Sequence, residues 1–231
     1  PDRPVLVKTI VTTELQRRIG RYYGAEVYDV LTGFKYIGEK IREFESTGEH
    51  YVFGGEESYG YLVETEVRDK DSIGAAAMTA EMALYCKSKG WTLLDYLDDI
   101  YRRFGYFEEI LVSKKFPGSQ GRTRMDRLIA DMRERAPEEF AGEPVRELRD
   151  YSNGKVLKNG RPSQETIDLP RSNVLQLVFD SGVFTVRPSG TEPKIKFYAS
   201  CWEDDVSDLD RAKRSVGSRI AAIEDHIETL V

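Results

Sequence analysis

One segment late in the chain, RPSGTEPK at 187–194, combines hydroxyl groups, cations and a glycine directly after a predicted strand. The side chains able to donate to an anion are Arg187, Ser189, Thr191, Lys194 and Lys196. A guanidinium offers a planar pair of donors that matches phosphate oxygens. Gly190 permits a positive φ, at which successive N–H groups converge on an anion. These residues predict a loop for a phosphate monoester, although Pro, Ser and Gly are equally typical of a plain hairpin turn.

A second segment, GGEESYG at 54–60, places acidic and hydroxyl side chains at the end of another predicted strand. A carboxylate such as Glu56 can accept hydrogen bonds from two neighbouring sugar hydroxyls, and Ser58 adds a further donor or acceptor. The side chains of Glu56 and Glu57 project in different directions, so the segment matches a metal site poorly. A solvated acidic turn is the alternative interpretation.

Two lysines occupy positions that could serve a site. Lys70 lies in RDKDS at 68–72, where Asp71 or Ser72 is expected to cap a helix. Charges at helix ends are usually solvated, which is the simpler interpretation of Lys70. Lys8 lies inside an otherwise apolar strand, where the alternative to a functional cation is an edge-strand charge that opposes aggregation.

The composition describes a folded protein of one or two domains. It has 231 residues, 40% of them hydrophobic, which is enough to bury a core. A net charge of −6 argues against a nucleic-acid partner, and no apolar run reaches membrane-spanning length. Cys86 and Cys201 are expected to be reduced thiols of a cytoplasmic protein. The chain starts almost at once with a predicted strand, which we interpret as a cut inside a larger protein.

The order of the predicted elements indicates two folds in series. Residues 1–106 alternate β-branched segments with helical periodicity, which predicts an α/β domain with a mixed sheet and flanking helices. Residues 107–231 combine a hairpin, VLQLVF-DSG-VFTVRP, with further strands and a final amphipathic helix. They predict an α+β domain with an antiparallel sheet and helices on one side.

Three local features are predicted in more detail. Thr13 and Gln16 have the spacing of a capping box before the first helix. The apolar residues that recur every four positions from Met78 to Cys86 are expected to share one face of a helix. The segment 150–173, rich in Asn, Gly, Ser and Arg, is expected to form only turns and short pieces.

Together these segments closely resemble the α-D-phosphohexomutases, the phosphoglucomutase and phosphomannomutase family. The resemblance is carried by VLTGFKYIGEKI, GGEESYGYLV, VRDKDSIGAA and VRPSGTEPKIKFY, in that order. It extends over nearly the whole chain, from about residue 4 to residue 225. The combination is highly specific, whereas either loop alone would be only suggestive.

Members of the family have four domains, and the resemblance covers the third and the fourth. The first carries a phosphoserine that exchanges phosphate with the sugar, and the second binds Mg²⁺ on an Asp-rich loop. The third, here 1–106, recognises the sugar, and the fourth, here 107–231, closes over the substrate and binds its phosphate. Neither a serine loop resembling TASHN nor an Asp-Gly-Asp metal loop occurs in these 231 residues. We therefore assign no catalytic residue and no metal ligand to this chain, which would depend on the family's N-terminal domains.

The resemblance implies a role for each matching residue. Those expected around the sugar are Glu56, Ser58, Lys8, Lys70, Gly33, Phe34 and Lys35. Those expected to bind the non-transferring phosphate are Arg187, Ser189, Gly190, Thr191 and Lys194.

The implied activity is the interconversion of a hexose 1-phosphate and a hexose 6-phosphate, with glucose as the expected sugar. The complete enzyme would use Mg²⁺, and glucose 1,6-bisphosphate would be its intermediate. The chain alone is predicted to be inactive. The alternatives are a stand-alone, noncatalytic module that binds sugar phosphates, and a fragment of a mutase for mannose, glucosamine or pentose phosphates.

Overall fold

A computed structural model describes residues 2–190 and 192–230. The chain divides into two compact units, Pro1–Tyr106 with Asp204–Leu209 and Phe107–Glu203 with Asp210–Val231. The predicted division after residue 106 assigned 204–209 to the second domain, whereas this short segment groups with the first unit. Each unit has a main sheet of its own.

The first unit contains a four-stranded sheet with helices. Its elements are β1 (Pro4–Thr9), α1 (Glu14–Tyr22), β2 (Glu26–Val30), α2 (Phe34–Thr47), β3 (His50–Glu56), β4 (Gly60–Leu62), α3 (Ser72–Ser88) and α4 (Leu93–Phe104). The strand order is β2-β1-β3-β4, in which β1 is parallel to β2 and β3, and β4 is antiparallel to β3. This confirms the predicted mixed sheet, and it brings the carboxyl ends of β1, β2 and β3 to one common edge.

Aliphatic and aromatic side chains of α2 and the central strands form the core of the first unit. The buried members are Val5, Val7, Val30, Phe34, Ile37, Ile41, Phe44, Tyr51 and Leu62. The buried positions of α2 are three and four residues apart, so one face of this helix is enclosed. The hydroxyl of Tyr51 donates to the carbonyl of Leu62 (2.9 Å), which satisfies a polar group inside the core.

Helix capping in the first unit differs from the predicted pattern. Thr13 begins α1 by accepting a hydrogen bond from the N–H of Leu15 (3.2 Å). The side-chain oxygen of Gln16 is buried without a hydrogen-bond partner in the described part of the chain, so the predicted box is wrong. A capping box forms instead at α4, where Thr92 and Asp95 each bind the other's backbone N–H.

The apolar residues of α3 are less enclosed than their spacing predicted. Cys86 is buried, whereas Met78 is 48% and Met82 38% exposed. Most of this helix is apolar around its whole circumference, as SIGAAAMTAEMALYCKS shows. A four-residue spacing within such a sequence does not single out a buried face.

The second unit is built around a seven-stranded sheet. Its elements are β5 (Tyr106–Lys115), α5 (Gly121–Glu134), β6 (Glu139–Phe140), β7 (Glu143–Pro144), β8 (Glu147–Asp150), β9 (Lys155–Lys158), β10 (Arg161–Thr166), β11 (Leu175–Phe179), β12 (Gly182–Pro188), β13 (Lys194–Glu203) and α6 (Leu209–Leu230). The strand order is β10-β9-β8-β11-β12-β13-β5, and the neighbouring pairs from β10 to β13 are antiparallel. This confirms the predicted α+β class.

The segment 150–173 is more regular than predicted, because it contains β9 and β10. These strands pair antiparallel with Lys158 opposite Arg161, so only Asn159 and Gly160 connect them. Both connecting residues have positive φ, 48° and 72°, as a tight two-residue hairpin turn requires. The Asn and Gly content therefore marked the turns correctly, but it concealed the short strands between them.

The start of α5 lies so close to the preceding loop that residue 121 has to be glycine. A Cβ atom at Gly121 would lie 1.8 Å from the carbonyl oxygen of Phe116. The backbone N–H of Phe116 donates to the carbonyl of Pro193 (2.8 Å). The loop between β5 and α5 is thus held against both the first turn of α5 and the end of the RPSGTEPK segment.

Replacing Gly121 with Ala is expected to lower the free energy of unfolding of the second unit by about 2–4 kcal/mol, because the methyl group overlaps backbone atoms. Urea unfolding should be followed by tryptophan fluorescence in a Trp91→Phe background, which leaves Trp202 as the reporter. Gln120→Ala is the matched control, since the exposed Gln120 makes no side-chain capping bond. Equal stability of the two variants would show that the close approach is easily relaxed.

Candidate functional site

The predicted sugar-site residues of the first unit lie at the common carboxyl edge of its parallel strands. β1 ends at Thr9, β2 at Val30 and β3 at Glu56. Two threonines join the loops at this edge, because Thr9 Oγ1 donates to Glu57 Oε2 (3.2 Å) and bonds to Thr12 Oγ1 (2.9 Å). Ligands of sheets with parallel strands usually bind beyond such an edge.

Glu56 is the best-defined acceptor at this edge. It is only 7% exposed, and its Oε1 accepts a hydrogen bond from the backbone N–H of Gly33 (2.8 Å). Gly33 precedes α2 with φ 126° and ψ 123°, a conformation that favours glycine. The fixed Oε1 orients the carboxylate, and among the described residues no donor binds Oε2.

Phe34 and Lys70 lie beside Glu56. Lys70 Nζ lies 5.7 Å from the centroid of the Phe34 ring. A Cβ atom at Gly60 would lie 3.2 Å from both Glu56 Oε2 and Lys70 Cδ, which shows how closely the two side chains flank this glycine. The structure therefore brings Gly33, Phe34, Glu56 and Lys70 together.

Two of the three remaining sugar-site candidates of the first unit are on the surface. Ser58 is exposed in the turn between β3 and β4, next to Tyr59, whose φ is 63°. Lys35 is exposed in the first turn of α2, and its Nζ lies 4.7 Å from the centroid of the Tyr36 ring. Both side chains are available to a ligand, but no contact in the structure fixes either one on Glu56.

Lys8 occupies a different environment from the one expected for a residue facing a cleft. It is 0% exposed, and its Nζ forms ion pairs with Glu14 (2.7 Å) and Asp29 (3.1 Å). The same ammonium group donates to the carbonyl oxygens of Thr9 (3.3 Å) and Thr12 (3.1 Å). We therefore correct its expected role. Lys8 lies beneath the loop after β1 and supports that loop, and its charge is enclosed by protein atoms.

The ion pairs of Lys8 shift the ionisation of Glu14. Burial alone would raise the pKa of Glu14, but the charges of Lys8 and Arg17 outweigh burial and hold this pKa below its usual value of 4.5. A carboxylate with a lowered pKa adds stability at pH values above its unfolded pKa. That stability is lost as the pH falls through the folded pKa.

Replacing Lys8 with Met is expected to lower the free energy of unfolding of the first unit by about 2–3 kcal/mol, because Glu14 and Asp29 lose a buried counter-ion. The pKa of Glu14 should rise toward its usual value, so the variant should lose more stability near neutral pH than at pH 3. Urea unfolding in a Trp202→Phe background, with Trp91 as the reporter, measures the change. Lys40→Met removes a surface pair with Glu43 and serves as the control, with an effect below about 1 kcal/mol.

The RPSGTEPK segment forms the loop between β12 and β13 in the second unit. The N–H of Ser189 donates to the carbonyl of Lys194 (2.8 Å) and closes the base of the loop. Inside it, Ser189 Oγ accepts from the N–H of Glu192 (3.3 Å), which leaves the hydroxyl proton free to donate. Gly190 is exposed at the tip, while the predicted ligand Thr191 lies outside the described residues.

Two cations face each other where this loop begins. Arg187 on β12 is paired directly with Lys196 on β13, so their side chains project from the same face of the sheet. Both are partly buried, and neither forms a hydrogen bond or ion pair with a described residue. Like charges in this arrangement repel, and a bound anion would relieve the repulsion. The sequence indicated Lys196 only as added charge, because its partner becomes visible only in the strand register.

The other predicted cation of the loop already has a counter-ion. Lys194 Nζ lies 2.8 Å from Glu192 Oε2. The lysine holds the pKa of the Glu192 carboxyl below its ordinary value. Lys194 is therefore a weaker candidate for phosphate than Arg187. Sequence reasoning missed Arg122, which contacts the backbone of this loop from α5.

The described residues present no metal site and no membrane segment. Among 2–190 and 192–230, no three His, Cys, Asp or Glu side chains lie close enough together to hold a metal ion. The Mg²⁺ that the sequence resemblance implies therefore has no matching ligand set in this part of the chain. No helix in the same residues is long and apolar enough to cross a membrane.

Comparison with known proteins agrees with the fold. Residues 1–104 match the family described as phosphoglucomutase/phosphomannomutase, alpha/beta/alpha domain III. The chain is 37% identical over 205 residues to a phosphoglucomutase of Staphylococcus aureus, and 38% identical over 200 residues to one of Staphylococcus haemolyticus. These matches cover 89% and 87% of this chain, but only 37% and 36% of the relatives. The chain thus spans little more than a third of their length.

Solved structures show the same fold. Parafusin, a phosphoglucomutase from Paramecium in its open form, matches with a TM-score of 0.61 and 17% identity, over 95% of this chain and 37% of that one. A phosphoglucomutase/phosphomannomutase family protein from Burkholderia thailandensis matches with a TM-score of 0.55 and 15% identity, over 99% of this chain and 37% of that one. The chain belongs to the α-D-phosphohexomutase family and corresponds to its C-terminal part.

Proposed function

We propose that this chain supplies the sugar-recognition and phosphate-binding parts of an enzyme that interconverts glucose 1-phosphate and glucose 6-phosphate. The observation that carries the proposal is the enclosed carboxylate of Glu56, oriented by the N–H of Gly33 at a strand edge where ligands commonly bind. The phosphoglucomutases of the two staphylococci support glucose as the sugar.

The sugar half of the proposal rests on the chemistry around Glu56. A carboxylate whose Oε1 is already bound can accept sugar hydroxyls at Oε2 without losing its orientation. Phe34 and Lys70 adjoin it, and Lys70 would supply a hydroxyl-binding cation, while the buried Phe34 would pack beneath the site. Ser58 lies two residues after Glu56, and Lys35 directly follows Phe34. Both are exposed, and they complete the proposed set. Lys8 would contribute indirectly, by supporting the loop after β1.

The phosphate half rests on the loop between β12 and β13. Arg187 would bind phosphate oxygens with its planar pair of donors, and the hydroxyl of Ser189 and the N–H of Gly190 would add two further donors. Lys194 would contribute at longer range, since Glu192 already neutralises part of its charge. We retain Thr191 in the proposed set on the resemblance alone.

These residues position the substrate and perform no covalent chemistry. In the proposed reaction, a phosphoserine in the part of the enzyme outside this chain transfers its phosphoryl group to the free hydroxyl of the sugar phosphate. Glucose 1,6-bisphosphate forms, and the serine hydroxyl then takes back the phosphoryl group from the other end. Mg²⁺, held by residues outside this chain, would stabilise the charge of the transferred group. Holding the substrate in reacting geometry is itself a large part of a rate enhancement.

The site has to accept the sugar in two orientations, because in the two transfer steps a different phosphate of the sugar remains bound while the other is transferred. A carboxylate meets this need, since it accepts any suitably placed pair of hydroxyls. A cationic loop meets it as well, since it binds a phosphate group whichever carbon carries it. A mutase for mannose, glucosamine or pentose phosphates would use the same two devices, so the identity of the sugar has to be tested directly.

Glu56→Gln is expected to weaken the binding of glucose 6-phosphate about five- to tenfold and to leave inorganic phosphate binding unchanged, since an amide accepts fewer hydroxyls than a carboxylate. Amide NMR titrations of the chain with glucose 6-phosphate, glucose and inorganic phosphate measure both affinities, with Kd on the order of millimolar. Glu66→Gln, a charge change at an exposed position, is the matched control. Parallel titrations with mannose 6-phosphate, glucosamine 6-phosphate and ribose 5-phosphate identify the preferred sugar.

Two outcomes would contradict the proposal. If glucose 6-phosphate shifts no amide near Glu56 or Gly190, the two loops are turns without a ligand. If Glu56→Gln and Glu66→Gln weaken binding equally, the enclosed carboxylate makes no contact with the sugar, and only the phosphate half remains.

The chain by itself is expected to convert no glucose 1-phosphate, because it contains neither a loop resembling the family's serine loop nor a set of Mg²⁺ ligands among its described residues. A coupled assay that oxidises glucose 6-phosphate, with Mg²⁺ and glucose 1,6-bisphosphate present, checks this. A complete phosphoglucomutase such as the relative from Staphylococcus aureus is the positive control. Turnover that grows in proportion to the concentration of this chain would overturn the proposed division of labour.

We further propose that the protein works in the cytoplasm. Cys86 and Cys201 are both free and buried. Burial raises the pKa of the Cys201 thiol to about 11, so this thiol stays protonated and resists oxidation. Free thiols of this kind suit a reducing compartment.

A further inference from the structure

Arg122 contacts the phosphate-loop backbone although no motif in the sequence pointed to it. Its Nη1 lies 3.5 Å from the carbonyl oxygen of Ser189 and 3.4 Å from that of Gly190. Its Nε faces Asp126 Oδ2, one helical turn further along α5, at 3.4 Å. One guanidinium thus holds two consecutive carbonyl groups at the loop tip, while an acidic neighbour on its own helix orients it.

Because the peptide bond is planar, this contact also fixes the direction of the N–H on the opposite side of the loop. In a trans peptide, the carbonyl of Ser189 and the N–H of Gly190 point in opposite directions. Because the carbonyl faces Arg122, the N–H of Gly190 faces away from α5. No described residue accepts a hydrogen bond from it, and no described atom beyond the chain neighbours lies within 4 Å of where a Cβ at Gly190 would be. This donor therefore has no partner among the described residues.

Backbone hydrogen bonds fix the base of the loop, whereas the side chain of Arg122 contacts its tip. The N–H of Ser189 binds the carbonyl of Lys194 (2.8 Å), and the N–H of Phe116 binds that of Pro193 (2.8 Å). Both bonds hold the limbs of the loop. The tip peptide between Ser189 and Gly190 has no comparable backbone bond among the described residues, and a glycine peptide rotates easily. Arg122 contacts the carbonyl of this peptide and so opposes its rotation.

The geometry points to Arg122 as a positioning residue of the phosphate loop. It holds the tip peptide with the carbonyl toward α5, so that the Gly190 N–H is presented to a phosphate oxygen before the ligand binds. This role rests on the proposed phosphate-binding function. Arg122 does not itself bind the phosphate. A donor oriented in advance spares the ligand the cost of ordering the loop, which is a general source of affinity.

The test compares two charge-removing substitutions on one helix. Arg122→Met removes the guanidinium that holds the tip, whereas Arg127→Met removes an exposed arginine of α5 that has no hydrogen bond to the loop. Amide NMR titrations with inorganic phosphate give the affinity of each variant. The chemical shift of the Gly190 amide in the absence of ligand reports the orientation of the tip peptide. A loss of charge alone would leave this orientation unchanged. Arg122→Lys is the rescue variant, because an ammonium can still donate to the carbonyls.

We expect Arg122→Met to move the ligand-free Gly190 amide resonance and to weaken phosphate binding about fivefold. Arg127→Met should leave the resonance unmoved and the affinity within about twofold, as the loss of one distant surface charge predicts. Arg122→Lys should restore most of the Gly190 resonance position and most of the phosphate affinity. Equal affinity losses in the two Met variants, with no Gly190 shift, would overturn the positioning role and leave only long-range charge. Absence of phosphate binding in the unmodified chain would instead overturn the proposed phosphate site, and this role with it.

Discussion

The buried ammonium of Lys8 is the constraint on which the candidate sugar site depends. A charge with no exposure has to be fully paired, and here Glu14, Asp29 and two carbonyls of the loop after β1 do so. The pairing joins β1, β2 and the start of α1. Thr9, the last residue of β1, also donates to the side chain of Glu57. The contacts that begin at Lys8 therefore extend to the turn that follows Glu56. The strand edge that carries Glu56 is thus held in part by a buried ion pair, while the N–H of Gly33 orients the carboxylate itself.

The second unit shows the opposite arrangement, because it places two cations close together without a counter-ion among the described residues. Arg187 and Lys196 face each other across β12 and β13, in a sheet whose inner face buries Phe184, Val186, Ile195 and Phe197. The rigid strands keep the two cations close, although they repel. An arrangement that costs stability without a ligand is typical of a binding site, since its repulsion turns into affinity once an anion arrives.

The fold class and the position of most candidate residues were predictable from sequence, because periodicity and loop composition are local properties. The hairpin of β11 and β12 and the buried face of α6 are examples, with Ala212, Val216, Ile220 and Ile223 all enclosed. What the sequence could not show depends on partners far apart in the chain. The spacing of Lys8 in an apolar strand did not reveal whether its charge would meet solvent or two carboxylates. Arg122 lies 67 positions from Ser189, and only the fold brings them together.

In the proposed function the two loops would recognise opposite properties of the same class of ligand, and this would limit what each can bind alone. An enclosed carboxylate such as Glu56 accepts neutral hydroxyls and repels anions, whereas the loop from Arg187 to Lys194 attracts anions and offers little to a neutral sugar. Inorganic phosphate can satisfy only the second loop, and free glucose only the first. A hexose phosphate carries both properties on one molecule, so under the proposed function it would be preferred over either fragment. Discrimination by this route would require neither loop to bind tightly.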